Sequence, residues 1–210
     1  MICIVPDLAF DHHFEPGTAG DTLLLLHATG GDERQLVPLG RQLAPGAALL
    51  APRGQVLENG RVRRFFARRG PADLDLDDLR ERTTGLAAFV GDTLAQRELD
   101  PARVTALGYS NGANVAVELL FSHPGLLHAA ALLRPVLAYE PEQPLTGLDR
   151  TSVLIAVGDA DPYGPSEQIE RLTELLREGG ADVEVAVQPA GHELTEGDFT
   201  AVGDWLARVR

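Results

Sequence analysis

Val104-Thr105-Ala106-Leu107-Gly108-Tyr109-Ser110-Asn111-Gly112-Ala113-Asn114 runs from an apolar stretch, through a serine with a glycine two residues to either side, into a helix-like pattern. That order predicts a strand, a sharp turn and a helix, the setting of a nucleophile elbow. The spacing has a steric reason. Such a turn holds its serine in a strained conformation, and side chains at the two flanking positions would clash with the crowded backbone. Four serines among 22 glycines in 210 residues give only about 0.04 such matches by chance, so Ser110 is read as a nucleophile.

Outward from this stretch the same alternation continues. Apolar runs rich in Leu, Val and Ala recur at 22–27, 47–51, 103–109, 129–133, 153–157 and 183–187. They are short and mostly non-alternating, as strands buried on both faces should be. Helical patterns lie between them at 33–43, 79–98, 111–122, 167–178 and 197–209. In the second, Leu86, Phe89, Val90 and Leu94 form one stripe; in the last, Phe199, Val202, Leu206 and Val209 do so. Gly179-Gly180 and Asp100-Pro101 supply stops, and Thr195 with Asp198 reads as a capping box. A further short strand is expected near His13-Phe14, ahead of Pro16-Gly17. The expectation is an α/β fold in a single domain over 1–210. Short connections leave no room for a large lid, the exception being an irregular stretch from Pro52 to Asp77.

Composition removes several function classes. The formal charge is −13, with 12 Arg against 15 acids up to Ser110 and 6 against 16 beyond it. Such a field opposes nucleic acid and anionic lipid, and favours neutral or small substrates. All 18 basic residues are arginine, which excludes Schiff-base chemistry and a Walker-type phosphate loop. Cys3 is the only cysteine, so no intramolecular disulfide can form, and it is expected to be inert. The longest aliphatic run near the start, Leu23 to Leu26, is too short for a bilayer span or a signal core, so a cytoplasmic location is expected.

A nucleophilic serine needs a base within hydrogen-bond reach and a carboxylate to orient that base. Asp161, in Gly158-Asp159-Ala160-Asp161-Pro162, and His192, in Ala190-Gly191-His192-Glu193-Leu194, follow Ser110 in the order Ser, Asp, His. Both sit just past expected strands, on the edge where Ser110 also emerges. Asp159 competes with Asp161 for the orienting role. A tetrahedral intermediate further requires N–H donors for its oxyanion. Asn111, directly after the serine, offers one; the second is assigned to Thr29 in His27-Ala28-Thr29-Gly30-Gly31, where glycines let backbone approach substrate. His27 itself is read as a hydrogen-bonded scaffold residue.

With these residues in place, the chain resembles the phospholipase/carboxylesterase branch of the α/β-hydrolases, near dienelactone hydrolase. It is most similar to small bacterial carboxylesterases linked to quinone or hydroquinone hydrolases. The matching text includes Phe14-Glu15-Pro16-Gly17, Leu24-Leu25-Leu26-His27-Ala28-Thr29-Gly30-Gly31-Asp32-Glu33, Pro52-Arg53-Gly54-Gln55, Arg64-Phe65-Phe66, the Ser110 stretch and Gly191-His192-Glu193-Leu194. The resemblance implies a minimal α/β-hydrolase fold, a mostly parallel central sheet with helices on both faces. It also implies Ser110, Asp161 and His192 as the triad, Thr29 and Asn111 as oxyanion donors, no metal or organic cofactor, and a homodimer in some members. Two positions depart from the pattern. Ala28 stands where glycine is usual, so a positive φ there would be strained and would displace Thr29. Asn111 stands where relatives acting on long-chain thioesters or lysophospholipids usually have glutamine.

Arg53, Arg61, Arg63, Arg64, Arg68 and Arg69 crowd one segment of an acidic protein. Arg53 or Arg64 could bind a substrate carboxylate through a bidentate pair, or the cluster could pair with Asp73, Asp75, Asp77, Asp78 and Glu81. Phe65 and Phe66 could line an acyl pocket or belong to the core. The leading reading is a cofactor-independent esterase for short-chain or small aromatic carboxylic esters. A thioesterase or lysophospholipase with the same triad, and a non-catalytic ligand-binding member, are the rivals.

Overall fold

The computed structural model describes residues 10–70 and 73–210; the expectation for Cys3 lies outside them. Along the chain come β1 (His12–Glu15), β2 (Thr22–Leu26), α1 (Val37–Leu43), β3 (Ala48–Pro52), β4 (Val56–Glu58), β5 (Val62–Arg64), β6 (Arg68–Gly70) and β7 (Asp73–Leu74). Then follow α2 (Leu76–Gln96), β8 (Val104–Tyr109), α3 (Asn111–Ser122), β9 (Ala129–Leu133), β10 (Ser152–Gly158), α4 (Ser166–Glu178), β11 (Asp182–Gln188) and α5 (Glu196–Val209).

Seven strands form one sheet in the order β1-β3-β2-β8-β9-β10-β11, parallel throughout except for β1, which pairs antiparallel with β3. The expected strand near His13 is therefore an edge strand. Because side chains alternate across a strand, the leucine run of β2 feeds both faces. Leu23 and Leu25 pack with Leu36 and Val37 and with Val202, Trp205 and Leu206 of α5. Leu24 and Leu26 pack with Leu86 and Val90 of α2, Val115 and Leu119 of α3, and Ile169 and Leu172 of α4. Helices thus cover both faces, α1 and α5 on one side, α2, α3 and α4 on the other, as expected.

The stops behave as their chemistry predicts. Thr195 and Asp198 form a reciprocal capping box, and α4 ends at Gly179. The stretch expected to be irregular is more ordered than its sequence suggests: β4 pairs with β5 and β6 with β7 in two small antiparallel ribbons over the strand ends. Three-residue strands carry too little periodicity to be read from the sequence. No helix among the described residues is long and apolar enough to cross a membrane.

Candidate active site

Ser110 caps the N-terminus of α3 with φ 53° and ψ −112°, a conformation that costs a non-glycine residue about 1–3 kcal/mol. Its N–H donates to Leu133 O at 2.8 Å, and its carbonyl accepts from Asn114 N–H at 3.0 Å. The flanking glycines are required by contact. A Cβ on Gly108 would lie 2.6 Å from Gly112 O, and one on Gly112 would lie 2.0 Å from Leu26 O. The second clash is with β2 rather than with the turn, so Gly112 also sets how closely α3 lies on the sheet.

Ser110 Oγ lies 2.8 Å from His192 Nε2, and His192 Nδ1 lies 2.8 Å from Asp161 Oδ2. A carboxylate only accepts, so the proton belongs on Nδ1 and Nε2 is left to accept from the serine hydroxyl. Asp161 is buried, its side chain 4% exposed, and its other oxygen accepts from Tyr163 N–H at 2.9 Å. The loops that bring Asp161 and His192 together are stacked. Asp159 N–H donates to Gln188 O, Ala160 N–H to Ala190 O, and a Cβ on Gly158 would lie 2.2 Å from Gly191 O. It is Asp161, not Asp159, that meets the imidazole.

Thr29 and Asn111 line the same cavity as Ser110 and His192. Around Thr29 the neighbouring donors are all engaged: Ala28 N–H with Gln35 Oε1, Gly30 N–H with Arg63 O, and Gly31 N–H with Ala28 O. The backbone N–H groups of Thr29 and Asn111 make no hydrogen bond among the described residues, and Asn111 stands at the first position of α3, where no intrahelical acceptor exists. The strain expected at Ala28 is not there. The positive φ of this loop falls on Gly30, at 80°, so alanine is accommodated at residue 28. His27 is a scaffold residue: Nδ1 donates to Ala28 O at 2.7 Å and Nε2 accepts from Gly54 N–H at 2.9 Å. Burial depresses its pKa, keeping the ring neutral. Asn111 Oδ1 accepts from Phe65 N–H at 2.7 Å and ties the elbow to the end of β5, while its Nδ2 is buried with no partner among the described residues.

The cavity measures about 930 Å³. Leu74, Leu76, Val136, Leu137 and Ala138 give it an apolar wall, and Arg64 and Arg68 lie on its lining as well. Three sequence expectations are corrected here. Phe65 and Phe66 are 3% and 0% exposed and belong to the core under α2 and α3, not to the cavity wall. Arg53 lines a separate, smaller depression and is held by Glu33 and Asp11; its hydrogen bonds keep the Glu33 carboxyl down at about 2. The arginine segment pairs only partly with the acids proposed for it: Arg69 meets Asp75, whereas Arg68 meets Glu58.

Three groups outside the expected site residues hold His192. Tyr109 stacks its ring on the imidazole at 5.8 Å, and its hydroxyl donates to His192 O at 2.9 Å. Tyr163 meets the imidazole edge-on at 4.8 Å. Arg134, at φ 54° just after β9, is 1% exposed and uses its donors fully. Nη1 and Nη2 form a bidentate pair with Asp198 at 2.8 Å each, and Nη1 also reaches Ala156 O. Nε donates to Gly191 O and Nη2 to Glu193 O, the carbonyls on either side of His192. Only Tyr109, inside the Ser110 stretch, stood at a position the motif could have flagged. No group of three or more His, Cys, Asp or Glu able to hold a metal ion occurs among the described residues.

A sequence profile described as the Dienelactone hydrolase family matches residues 74–200 of the chain. The Bacillus subtilis (strain 168) protein MhqD, a hydrolase by name, is 39% identical over 199 residues, covering 92% of this chain and 96% of its own. A Bacillus cereus carboxylesterase structure superposes with a TM-score of 0.92 at 35% identity, over 97% of this chain and 96% of that one. A Mesorhizobium loti carboxylesterase gives 0.88 at 35% identity, over 97% of each chain.

Proposed function

Because the chain belongs to the dienelactone hydrolase family, we propose that it is a serine carboxylesterase that cleaves short-chain or small aromatic esters through an acyl-enzyme on Ser110. Hydrolase activity of the carboxylesterase type follows from the family and its structural neighbours. The observation that supports the serine mechanism is the continuous hydrogen-bonded chain Ser110–His192–Asp161, with both links at 2.8 Å.

In this reading Ser110 Oγ attacks the ester carbonyl as His192 Nε2 takes its proton. Asp161 holds the imidazole and stabilises the imidazolium that forms. The oxyanion is received by the Thr29 and Asn111 N–H groups, donors that the fold leaves unused. His192 then protonates the departing alkoxide and activates the water that cleaves the acyl-enzyme. The apolar wall of Leu74, Leu76, Val136, Leu137 and Ala138 suits a short acyl or aromatic group. The charge of −13 favours a small-molecule substrate over nucleic acid or an anionic membrane surface, and a cytoplasmic setting, as monomer or homodimer, is part of the same reading.

The test is hydrolysis of nitrophenyl butyrate together with labelling by a fluorophosphonate probe. The wild type should turn over the ester and gain one probe adduct on Ser110, and Ser110→Ala should do neither. Retained hydrolysis in Ser110→Ala would overturn the assignment.

A further inference from the structure

Part of the apolar wall of the Ser110 cavity has little backbone structure of its own. No helix or strand lies between Leu133 and Ser152, and connections longer than about 12–15 residues without secondary structure are uncommon outside functional loops. From Pro135 to Gly147 the only main-chain group hydrogen-bonded among the described residues is Val136 N–H, which donates to Asn114 Oδ1 at 2.9 Å. Three residues later the Tyr139 hydroxyl donates to Glu118 Oε2 at 2.8 Å. Asn114 and Glu118 are four apart on α3, so they share one face, a turn apart. Val136 and Tyr139 are thus tied to the helix that Ser110 caps, and the cavity-lining residues Leu137 and Ala138 span the gap between the two ties. Glu118 is 2% exposed, within a stretch of α3 buried from Asn111 to Leu120, where a carboxylate is costly without partners. Among the described residues its carboxyl has no salt bridge, the Tyr139 hydroxyl is its one hydrogen-bond partner, and Oε1 has none. The Tyr139 ring is gripped in turn, by the Arg80 guanidinium of α2 over its face at 4.5 Å and by Phe121 of α3 edge-on at 6.0 Å.

We propose that Glu118 and Tyr139 are positioning residues that hold the Leu137–Ala138 wall at a fixed depth from Ser110 and so limit the size of the apolar group the cavity accepts. The proposal rests on the esterase reading and adds the residues that select its substrates by size. The depth is fixed because nucleophile and ties belong to one helix: Ser110 O accepts from Asn114 N–H at 3.0 Å, and Glu118 follows one turn later. An apolar group that presses on Leu137 or Ala138 must stretch the Glu118–Tyr139 bond and leave the carboxylate buried alone. A small group makes no such demand. Neither Glu118 nor Tyr139 lines the cavity, so the pair acts through the wall and not on the reacting atoms. The next side-chain contact along the segment, the Arg171–Glu140 pair at 2.9 Å, is solvent-exposed and adds little by comparison.

The experiment uses two pairs of esters, nitrophenyl butyrate against nitrophenyl octanoate for the acyl side and butyl acetate against octyl acetate for the alcohol side. The wild type should favour the short ester in the pair whose chain meets the wall. The variant combines Tyr139→Phe with Glu118→Met. It keeps the ring against Arg80 and Phe121 and strands no carboxylate, so its Tm should stay near the wild-type value. Its preference for the short ester should fall about tenfold, the worth of one hydrogen bond to a charged group, mainly through KM of the long ester. Turnover of the short esters should be retained. Tyr139→Phe alone, which removes only the hydroxyl, should move the same ratio in the same direction, whereas Glu118→Gln keeps an acceptor for that hydroxyl and should leave it unchanged. Unchanged ratios in both pairs overturn the proposal, as does an equal loss on all the esters, the mark of a purely structural pair. A wild type without preference in either pair overturns it while the esterase reading stands, and a wild type that cleaves none of the esters removes both. Amide hydrogen exchange needs no substrate: the Val136 N–H should exchange about tenfold faster in the double variant, and an unchanged rate refutes the tie whatever the esterase assays give.

Discussion

Arg134→Met keeps an apolar stem of similar length but removes every donor that binds Asp198, Ala156 O, Gly191 O and Glu193 O. Both members of the ion pair have side chains 0% exposed, so the variant leaves a carboxylate buried without its counter-charge. Breaking a pair in this way costs about 3–5 kcal/mol. For a domain of about 200 residues each kcal/mol moves Tm by about 2–4 °C, so calorimetry should show a fall of about 6–20 °C. The carbonyls flanking His192 also lose their anchors. A shift of about 1 Å at the imidazole lowers turnover by up to about 10²-fold. The informative variant is the double one, Arg134→Met with Asp198→Asn. It removes the stranded charge while keeping an acceptor for Thr195 N–H and Oγ1, which now bind Asp198 Oδ2. Most of the lost stability should return, and turnover should not. If the double variant regains both, Arg134 is a core ion pair only, and its supposed hold on His192 is refuted.

Three further outcomes follow. Gly112→Ala should cost several kcal/mol, seen as lost soluble yield or a Tm fall above 10 °C, because its Cβ meets Leu26 O at 2.0 Å; a near-native Tm would mean α3 can slide on the sheet. Tyr109→Phe keeps the ring on His192 but deletes the bond to His192 O, worth about 0.5–1.5 kcal/mol, and should lower kcat by a few-fold to about tenfold in an ester assay. His27 has a folded pKa below its unfolded value. Its contribution is therefore intact above about pH 6.5 and is lost as pH falls below that, where the unfolded chain takes up the proton. Denaturant titrations of His27→Gln should show a flatter decline in stability from pH 6.5 downward than the wild type, and parallel curves would contradict a neutral buried imidazole.

The parts legible in the sequence were those whose physics is local. Strands buried on both faces show as unbroken apolar runs, the capping box of Thr195 and Asp198 spans four residues, and the elbow needs its glycines within two positions of Ser110. Chain order alone then separated His192 from the other histidines. What stayed hidden depends on contacts between distant segments. Nothing around Arg134 marks it, since its partners Ala156, Gly191, Glu193 and Asp198 are 22 to 64 residues away. Phe65 and Phe66 could not be sorted between core and cavity, because three-residue strands decide which way they face. Ala28 was misjudged for a related reason: the loop places its positive φ two residues later, on Gly30.

The chain delivers the candidate machinery in two instalments. Thr29, Ser110 and Asn111 precede the exposed turn at Gly147, φ 84°, and Asp161 and His192 follow it. The two parts meet along the β9–β10 pairing, through α5 against α1, and at the Arg134–Asp198 pair. A cut or a long insertion at Gly147 therefore divides nucleophile from base without touching either. Fragments 1–147 and 148–210, expressed as separate polypeptides, would each be silent, and ester cleavage on mixing would report their reassembly, making the protein a natural scaffold for a split-enzyme sensor.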